Sequence, residues 1–211
     1  MVIRRKSFFW GLLALVLLTN TCSIARAGIR GDLIQITPFE LTAFRNFPAL
    51  LTVYIPVLIA RRFGSYFVIS LLRIGPRHPW IFNDLHIDKA WQGLHYLLTG
   101  APEGGKPPLS YVILGRTEIG PEGTYGRTRY LTPEQVKQAS AALEPITVEE
   151  LRARIDLRAM YQADIYAVRS EYRRKDAEQQ EYEYYGDYFG GVKAFYKDAA
   201  QNGNAMLFFL S

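Results

Sequence analysis

One helix-start pattern, present three times, constrains the fold of this chain more than any other feature of its sequence. A threonine precedes a glutamate or glutamine by three positions at residues 37–40, 132–135 and 147–150. In such a capping box, each of the two side chains accepts a hydrogen bond from the backbone N–H of the other residue. Proline follows the threonine in the first two copies, at the first helical position, which favours a helix start. The pattern predicts three helices that begin at residues 38, 133 and 148.

Apolar spacing extends the prediction to other segments. Apolar residues recur at helical spacing over residues 87–98, and Gly100 follows as the natural stop. We also expect helices over residues 135–143, 148–161 and 189–199, the last one ended by Gly203. The segments GDLIQI (31–36) and AMLFFL (205–210) are expected to be strands, the second one central in its sheet; residues 164–168 are a possible short strand. The charged, tyrosine-rich residues 169–191 are expected to form a solvated loop that leads into the last helix.

The first 27 residues have the organisation of a secretory signal peptide. Arg4, Arg5 and Lys6 precede an eleven-residue apolar run, and a polar stretch then ends in Ala25-Arg26-Ala27. We expect cleavage after Ala27 and export to the periplasm or cell envelope. The alternative is an uncleaved inner-membrane anchor, although the run is shorter than the roughly 20 residues of a spanning helix.

Charge and cysteine content exclude several classes of function for the exported chain. The whole sequence has a net charge of +5, but four of its 25 basic residues and none of its 20 acidic residues lie in the leader. Without a clustered surplus of positive charge, no nucleic-acid partner is expected. The single cysteine, Cys22, also lies in the leader. The mature chain therefore lacks disulfides, thiolate catalysis and cysteine-bound zinc. No cofactor is expected.

The apolar stretch over residues 49–74 is the least typical part of the chain. It is interrupted by Pro56 and by the pair Arg61-Arg62, and it is too short and broken to span a membrane. We favour an interpretation in which it fills the core or contacts a partner. The alternative is an interfacial segment, from Leu50 to Leu72, that rests on a membrane surface.

The segment around residues 84–100 contains the weak catalytic candidates Asp88 and His95. They are seven residues apart in a helix, about 10 Å along its axis, too far for a direct hydrogen bond. His95 borders the apolar stripe, so a partly buried, hydrogen-bonded structural role is favoured over a role as a base. Trp91, on the same stripe, is a weak candidate for ligand binding. Asp84, His86 and Asp88 lack a second ligand pair at a recognised spacing, so no metal site is predicted.

A glycine-rich segment before the second capping box provides three more ligand candidates. Tyr125, Arg127 and Arg129 lie in GPEGTYGRTRYLTPEQV, where a structural turn is favoured over an anion-binding loop because the phosphate-loop spacing is absent. Arg129 is the preferred ligand candidate of the three.

Several of these segments together resemble the YfbM-like bacterial family, whose function is unknown. The segments DKAWQGLHYLLTG, PLSYVILG, YGRTRYLTPEQV, LRARIDLRAMYQADIY and GVKAFYKDAAQNGNAMLFFLS occur in the family's order. The resemblance covers residues 28–211. It implies a single α+β domain, mostly helical, with a small mixed or antiparallel sheet that contains the N-terminal and C-terminal strands. It brings no catalytic residues. Unlike typical members, this chain carries a leader and a longer apolar insertion near residues 49–82.

Three functional hypotheses follow. The leading one is a non-enzymatic binding protein of the cell envelope, an inhibitor or immunity-type partner of another protein. The second is a hydrolase or transferase whose pocket uses Asp88, His95 and Arg129. The third is a scaffold on a membrane surface, attached through residues 50–72.

Overall fold

The computed structural model describes residues 28–62, 83–168 and 176–211 of the chain. The predicted signal peptide and its cleavage point lie outside these residues. Residues 63–82 of the apolar insertion lie outside them as well. The helices are α1 (Pro38–Asn46), α2 (Leu51–Arg62), α3 (Trp91–Thr99), α4 (Pro133–Leu143), α5 (Val148–Arg152), α6 (Leu157–Gln162) and α7 (Ala177–Asn202). The strands are β1 (Gly31–Ile36), β2 (Asn83–His86), β3 (Thr117–Gly123), β4 (Gly126–Leu131) and β5 (Ala205–Leu210). Short 3₁₀ turns cover Pro48–Leu50, Asp88–Ala90 and Leu109–Tyr111.

The five strands form one antiparallel sheet in the order β2-β1-β5-β4-β3. The expected N-terminal and C-terminal strands are confirmed and are neighbours, and β5 occupies the centre. The fold is a single α+β domain, as the family resemblance implied. β1 and β5 pair along their whole length, from Gly31 opposite Leu210 to Ile36 opposite Ala205.

Both faces of the sheet are covered, which explains why its central strands are almost continuously apolar. Leu33, Met206 and Phe208 belong to the larger core, to which α3, α4 and α7 contribute. Ile34 and Leu207, on the opposite face, belong to a second core with residues of α1 and α2. The domain is therefore three layers thick, with the sheet in the middle.

The apolar insertion begins with a helix that closes the second core. Leu51, Tyr54 and Leu58 of α2 are buried against that face of the sheet, and the helix continues through Pro56. Within the described residues, no single helix has the length and apolar character to cross a membrane. The pair Pro38–Asn46 and Pro48–Ile59, bent by 109°, reaches that composition only when its two parts are taken together.

All three predicted helix starts are confirmed with both hydrogen bonds of the box in place. At the first, the Thr37 N–H donates to Glu40 Oε2 at 2.7 Å, and the Glu40 N–H donates to Thr37 Oγ1 at 3.2 Å. The helix over residues 87–98 is also confirmed, except that its first turn is 3₁₀. Gly100 ends it in the left-handed conformation, at φ 76°.

Two predictions between residues 148 and 168 are wrong. The expected helix over 148–161 is divided into α5 and α6, because the Asp156 side chain accepts a hydrogen bond from the Ala159 N–H and starts a new helix. Residues 164–168 form a turn instead of a strand. Asp164 and Ala167 have positive φ angles of 56° and 73°, which an extended strand does not allow.

The last helix is longer than its sequence pattern suggests. Residues 177–191, expected to be a solvated loop, form the first half of α7, while residues 169–175 lie outside the described residues. Tyr185 and Phe189, one helical turn apart, are fully buried in the larger core. The tyrosine-rich segment therefore supplies core packing. Gly203 ends the helix as predicted.

Candidate functional site

A buried carboxylate organises the polar groups at one edge of the sheet. Asp32 on β1 lies directly opposite His86 on β2, and its side chain is completely buried. His86 Nδ1 lies 2.8 Å from Asp32 Oδ1, and the Ser211 hydroxyl donates to Asp32 Oδ2 at 3.1 Å. Because a carboxylate can only accept, Nδ1 is the protonated ring nitrogen of His86 in this pair. Asp32 thus orients the imidazole.

The predicted candidate Asp88 lies on the other side of the same imidazole. Asp88 adopts a left-handed backbone conformation, φ 43°, as β2 gives way to the 3₁₀ turn. Its Oδ1 is 3.9 Å from His86 Nε2 and 3.2 Å from Arg30 Nε, and its Oδ2 accepts a hydrogen bond from the Tyr184 hydroxyl at 3.3 Å. Asp88 therefore connects β2 to α7 through Tyr184.

A cavity of about 490 Å³ opens beside this network, between β2 and α7. It is lined by Leu85, His86, Tyr184, Asp187, Tyr188 and Gly191. The rings of Tyr184 and Tyr188 meet edge to face, with centroids 4.9 Å apart. Burial, with the neighbouring Asp88 carboxylate, raises the pKa of both phenols above its ordinary value, so both hydroxyls stay protonated at physiological pH.

His95, the second catalytic candidate, lies apart from this network in the larger core. The side chain is completely buried on α3, and neither ring nitrogen has a hydrogen-bond partner in the described part of the chain. The expected degree of burial is wrong: the side chain is fully buried, because apolar residues enclose α3 at this position. Burial lowers the pKa of His95, and the backbone of Gly104 and the charge of Glu103 oppose this shift only in part. The ring is held neutral.

Trp91, a ligand-binding candidate, makes contacts that fix the chain before β1. Its indole N–H donates to the Ile29 carbonyl at 3.3 Å, and its ring stacks on Tyr166 with centroids 5.9 Å apart. The Ile29 N–H in turn donates to the Tyr166 hydroxyl at 2.7 Å. These contacts join the residues before β1 to α3 and to the turn after α6.

The glycine-rich segment with the other candidates is a β-hairpin formed by β3 and β4. Arg129 lies opposite Glu118 and Arg127 opposite Glu122, with ion-pair distances of 3.3 Å and 2.9 Å. The expected structural turn is present, whereas the two strands were not predicted. The ion pairs hold both arginines across the hairpin. Asp88, His95 and Arg129, which the enzymatic hypothesis placed in one pocket, have separate sets of neighbours in the described part of the chain.

Tyr125, at the turn of this hairpin, lines a second cavity of about 470 Å³. The wall opposite the hairpin is apolar and is formed by Leu51, Ile55, Pro56 and Ile59 of α2. The space therefore lies between the hairpin and the helix that begins the apolar insertion. Its size lies within the range of small-ligand pockets.

An exposed apolar surface lies on the same helical layer. Its members are Phe39 (78% exposed), Phe47 (66%), Leu50 (46%) and Val53 (62%). They lie on α1, at the residue that follows it, on the 3₁₀ turn and at the start of α2; we call this set the α1–α2 apolar surface. Tyr161 is the other large hydrophobic residue that is exposed in the described residues.

In the whole described part of the chain, no group of three or more His, Cys, Asp or Glu side chains could hold a metal ion.

Asp32, Arg30 and Tyr184 were not identified as site residues from the sequence. A carboxylate inside a mostly apolar strand, as in GDLIQI, is a usable signal because a charge is rarely buried there without a partner. The partner could not be named, since it depends on the pairing of two strands that are about fifty residues apart in the sequence.

Comparison with known proteins agrees with this fold. The solved structure of YfbM from Escherichia coli, described as a protein of unknown function, matches with a TM-score of 0.57 and 18% sequence identity. The match covers 86% of this chain and 99% of YfbM, and at this identity it shows a shared fold. No curated protein matches the chain. A family model, the domain of unknown function DUF1877, matches residues 28–209. The chain therefore belongs to the DUF1877 family, the YfbM-like proteins that its sequence segments resemble.

Proposed function

We propose that this protein is a non-enzymatic binding protein of the cell envelope, an inhibitor or immunity-type partner that engages another protein through the α1–α2 apolar surface. The observation that supports this most is the concentration of exposed large apolar side chains on one helical layer. Two of the four are phenylalanines that are more than half exposed. An apolar centre rich in aromatic residues is typical of the buried part of protein interfaces.

The surroundings of this surface fit the same function. Thr42, Arg45 and Asn46 are exposed beside it and supply a polar rim. The 470 Å³ cavity, lined by other residues of α2, offers a recess for an apolar side chain of the partner. Location in the envelope is supported by the signal-peptide pattern of residues 1–27.

Affinity purification from envelope extracts tests this function. We expect the double variant Phe47→Ser/Val53→Ser to lose the partner that the unchanged protein retains. The matched control is Tyr161→Ser, which removes an exposed aromatic residue outside the α1–α2 apolar surface. Thermal unfolding of both variants verifies that the fold is kept. Identical partners for all three proteins would refute the proposal.

A second candidate, a scaffold on a membrane surface, rests on the apolar composition of the bent pair α1 and α2. It predicts that the protein floats with anionic vesicles, and that Arg61→Ala/Arg62→Ala weakens flotation. The enzymatic hypothesis has less support, because His95 is enclosed by the core and Arg129 is paired with Glu118.

A further inference from the structure

Two neighbouring glycines of α7, Gly190 and Gly191, have no contact that would exclude a side chain, and Gly191 is the one that lines the space between β2 and α7. Glycine inside a helix is unfavourable relative to alanine. At Gly93 the reason is plain, since a Cβ would collide with the buried Tyr185 ring, whereas at Gly186 it would meet the Arg152 guanidinium, the end of a long side chain. A Cβ at Gly191 would meet only the Leu85 methyl groups, at 3.7 and 3.9 Å, which is ordinary contact. Gly191 lines the 490 Å³ cavity, so the missing side chain keeps that cavity open.

The walls of this cavity are suited to positive charge. Tyr184 and Tyr188 present aromatic rings, whose faces are electronegative and attract cations. Asp187 lies between them in the sequence, with its side chain 85% exposed. Its one cationic contact in the described part of the chain is Arg152, at 4.0 Å. Asp187 can therefore accept hydrogen bonds from a ligand.

The adjoining carboxylate of Asp88 forms an ion pair with a guanidinium group, although the Arg30 Nε makes no hydrogen bond in the described residues. Arg30 Nε lies 3.2 Å from Asp88 Oδ1, and the Tyr184 hydroxyl donates to the other oxygen of Asp88. In the described part of the chain, two carboxylates adjoin this cavity, and each has an arginine contact: Arg30 for Asp88 and Arg152 for the exposed Asp187.

We infer that the cavity between β2 and α7 is a binding site for an organic cation, a protonated amine or a guanidinium group, held against Tyr184 and Tyr188 by Asp187. The site is distinct from the α1–α2 apolar surface and does not depend on the function proposed for that surface. The cation is either a free small molecule or an arginine or lysine side chain of another protein.

Titration of the purified protein with matched probes tests this inference. N-acetyl-arginine amide represents a protein side chain, butylguanidine represents a free guanidinium compound of the same charge, and N-acetyl-citrulline amide is the neutral analogue of the first. We expect saturable NMR shifts at the backbone amides of residues 184–191 with the two cations, with affinities in the millimolar range. Citrulline amide should leave these signals in place. Tighter binding of butylguanidine than of arginine amide indicates a free ligand, and equal or weaker binding of butylguanidine indicates a side chain.

Two substitutions locate the binding. Gly191→Leu fills the cavity and should weaken binding by at least about tenfold. Gly190→Leu is the matched control, because no described atom lies within 4 Å of a Cβ at Gly190 and that residue does not line the cavity. Asp187→Asn, at an exposed position, should weaken cation binding roughly threefold without a change in stability.

Three results would overturn the inference. The first is equal binding of the arginine and citrulline probes. The second is cation binding that Gly191→Leu leaves unchanged while the thermal unfolding curve shows a folded protein. The third is the absence of saturable shifts with both cations.

Discussion

Asp32 and His86 lie directly opposite each other on neighbouring antiparallel strands, and a 2.8 Å hydrogen bond joins their side chains. One member of the pair is completely buried, and the other faces a cavity between the sheet and the longest helix. The pair thus links the interior of the sheet to a surface that a ligand can reach.

Replacement of Asp32 by asparagine should destabilise the protein by about 1–3 kcal/mol, because the buried position loses a charge-assisted hydrogen bond to His86. Urea unfolding measures this change. The control is Glu122→Gln, which breaks an exposed ion pair with Arg127 and should change stability by less than about 1 kcal/mol. Equal effects of the two substitutions would contradict a structural role of the buried pair.

Replacement of His95 by leucine should stabilise the protein at pH 7 by about 1 kcal/mol, since it removes two buried ring nitrogens that have no hydrogen-bond partner in the described residues. If His95→Leu instead lowers the free energy of unfolding at pH 7, the imidazole ring is hydrogen-bonded in the folded protein.

His95 should also make stability depend on pH. Because burial lowers the pKa of His95, the unfolded chain binds more protons than the folded chain below the ordinary histidine pKa of about 6.5. The free energy of unfolding should therefore fall as the pH decreases below that value, and His95→Leu should reduce the slope. Urea unfolding at several pH values measures both slopes; equal slopes would exclude His95 as the cause.

Substitution of the helix glycines by alanine should have opposite effects at two positions. Gly93→Ala should destabilise the protein by about 1–3 kcal/mol or more, because the new methyl group collides with the buried Tyr185 ring. Gly191→Ala should stabilise it by up to about 1 kcal/mol through helix propensity. Thermal unfolding distinguishes the two, and destabilisation by Gly191→Ala would show that packing requires this glycine.

Substitutions at two residues of α2 should differ in their effect on stability, because one residue faces the core and the other faces solvent. Leu51 is 2% exposed and Val53 is 62% exposed. Leu51→Ala should cost about 2–5 kcal/mol, as is usual for a buried leucine, and Val53→Ala should change stability by less than about 0.5 kcal/mol. If both changes are small in urea unfolding, α2 is not part of the core.

Features that depend on a few adjacent residues could be predicted from the sequence. The capping boxes at Thr37, Thr132 and Thr147 are complete within four residues, and all three have the expected hydrogen bonds. β5 could be predicted because it is buried on both faces and is therefore apolar at nearly every position. The resemblance to the YfbM-like family correctly identified the fold class.

Features that depend on distant pairing could not be predicted in this way. The β3–β4 hairpin has a register irregularity between Ile119 and Glu122, where Gly120 and Pro121 interrupt the alternation that marks a strand. Asp32 was overlooked because its partner His86 comes close only when β1 and β2 pair. The first half of α7 was taken for a loop because charged residues surround the buried Tyr185 and Phe189.

The central position of β5 has a consequence for cooperativity. Among the described strands, the pairs β1–β2 and β3–β4 are joined to each other through β5, and without that strand they do not form one continuous sheet. The β1–β5 contacts join the two ends of the domain in sequence, and such long-range contacts slow folding. Either half alone would leave an unpaired strand edge open to association with other chains. We therefore expect the domain to unfold as one unit, without a stable half.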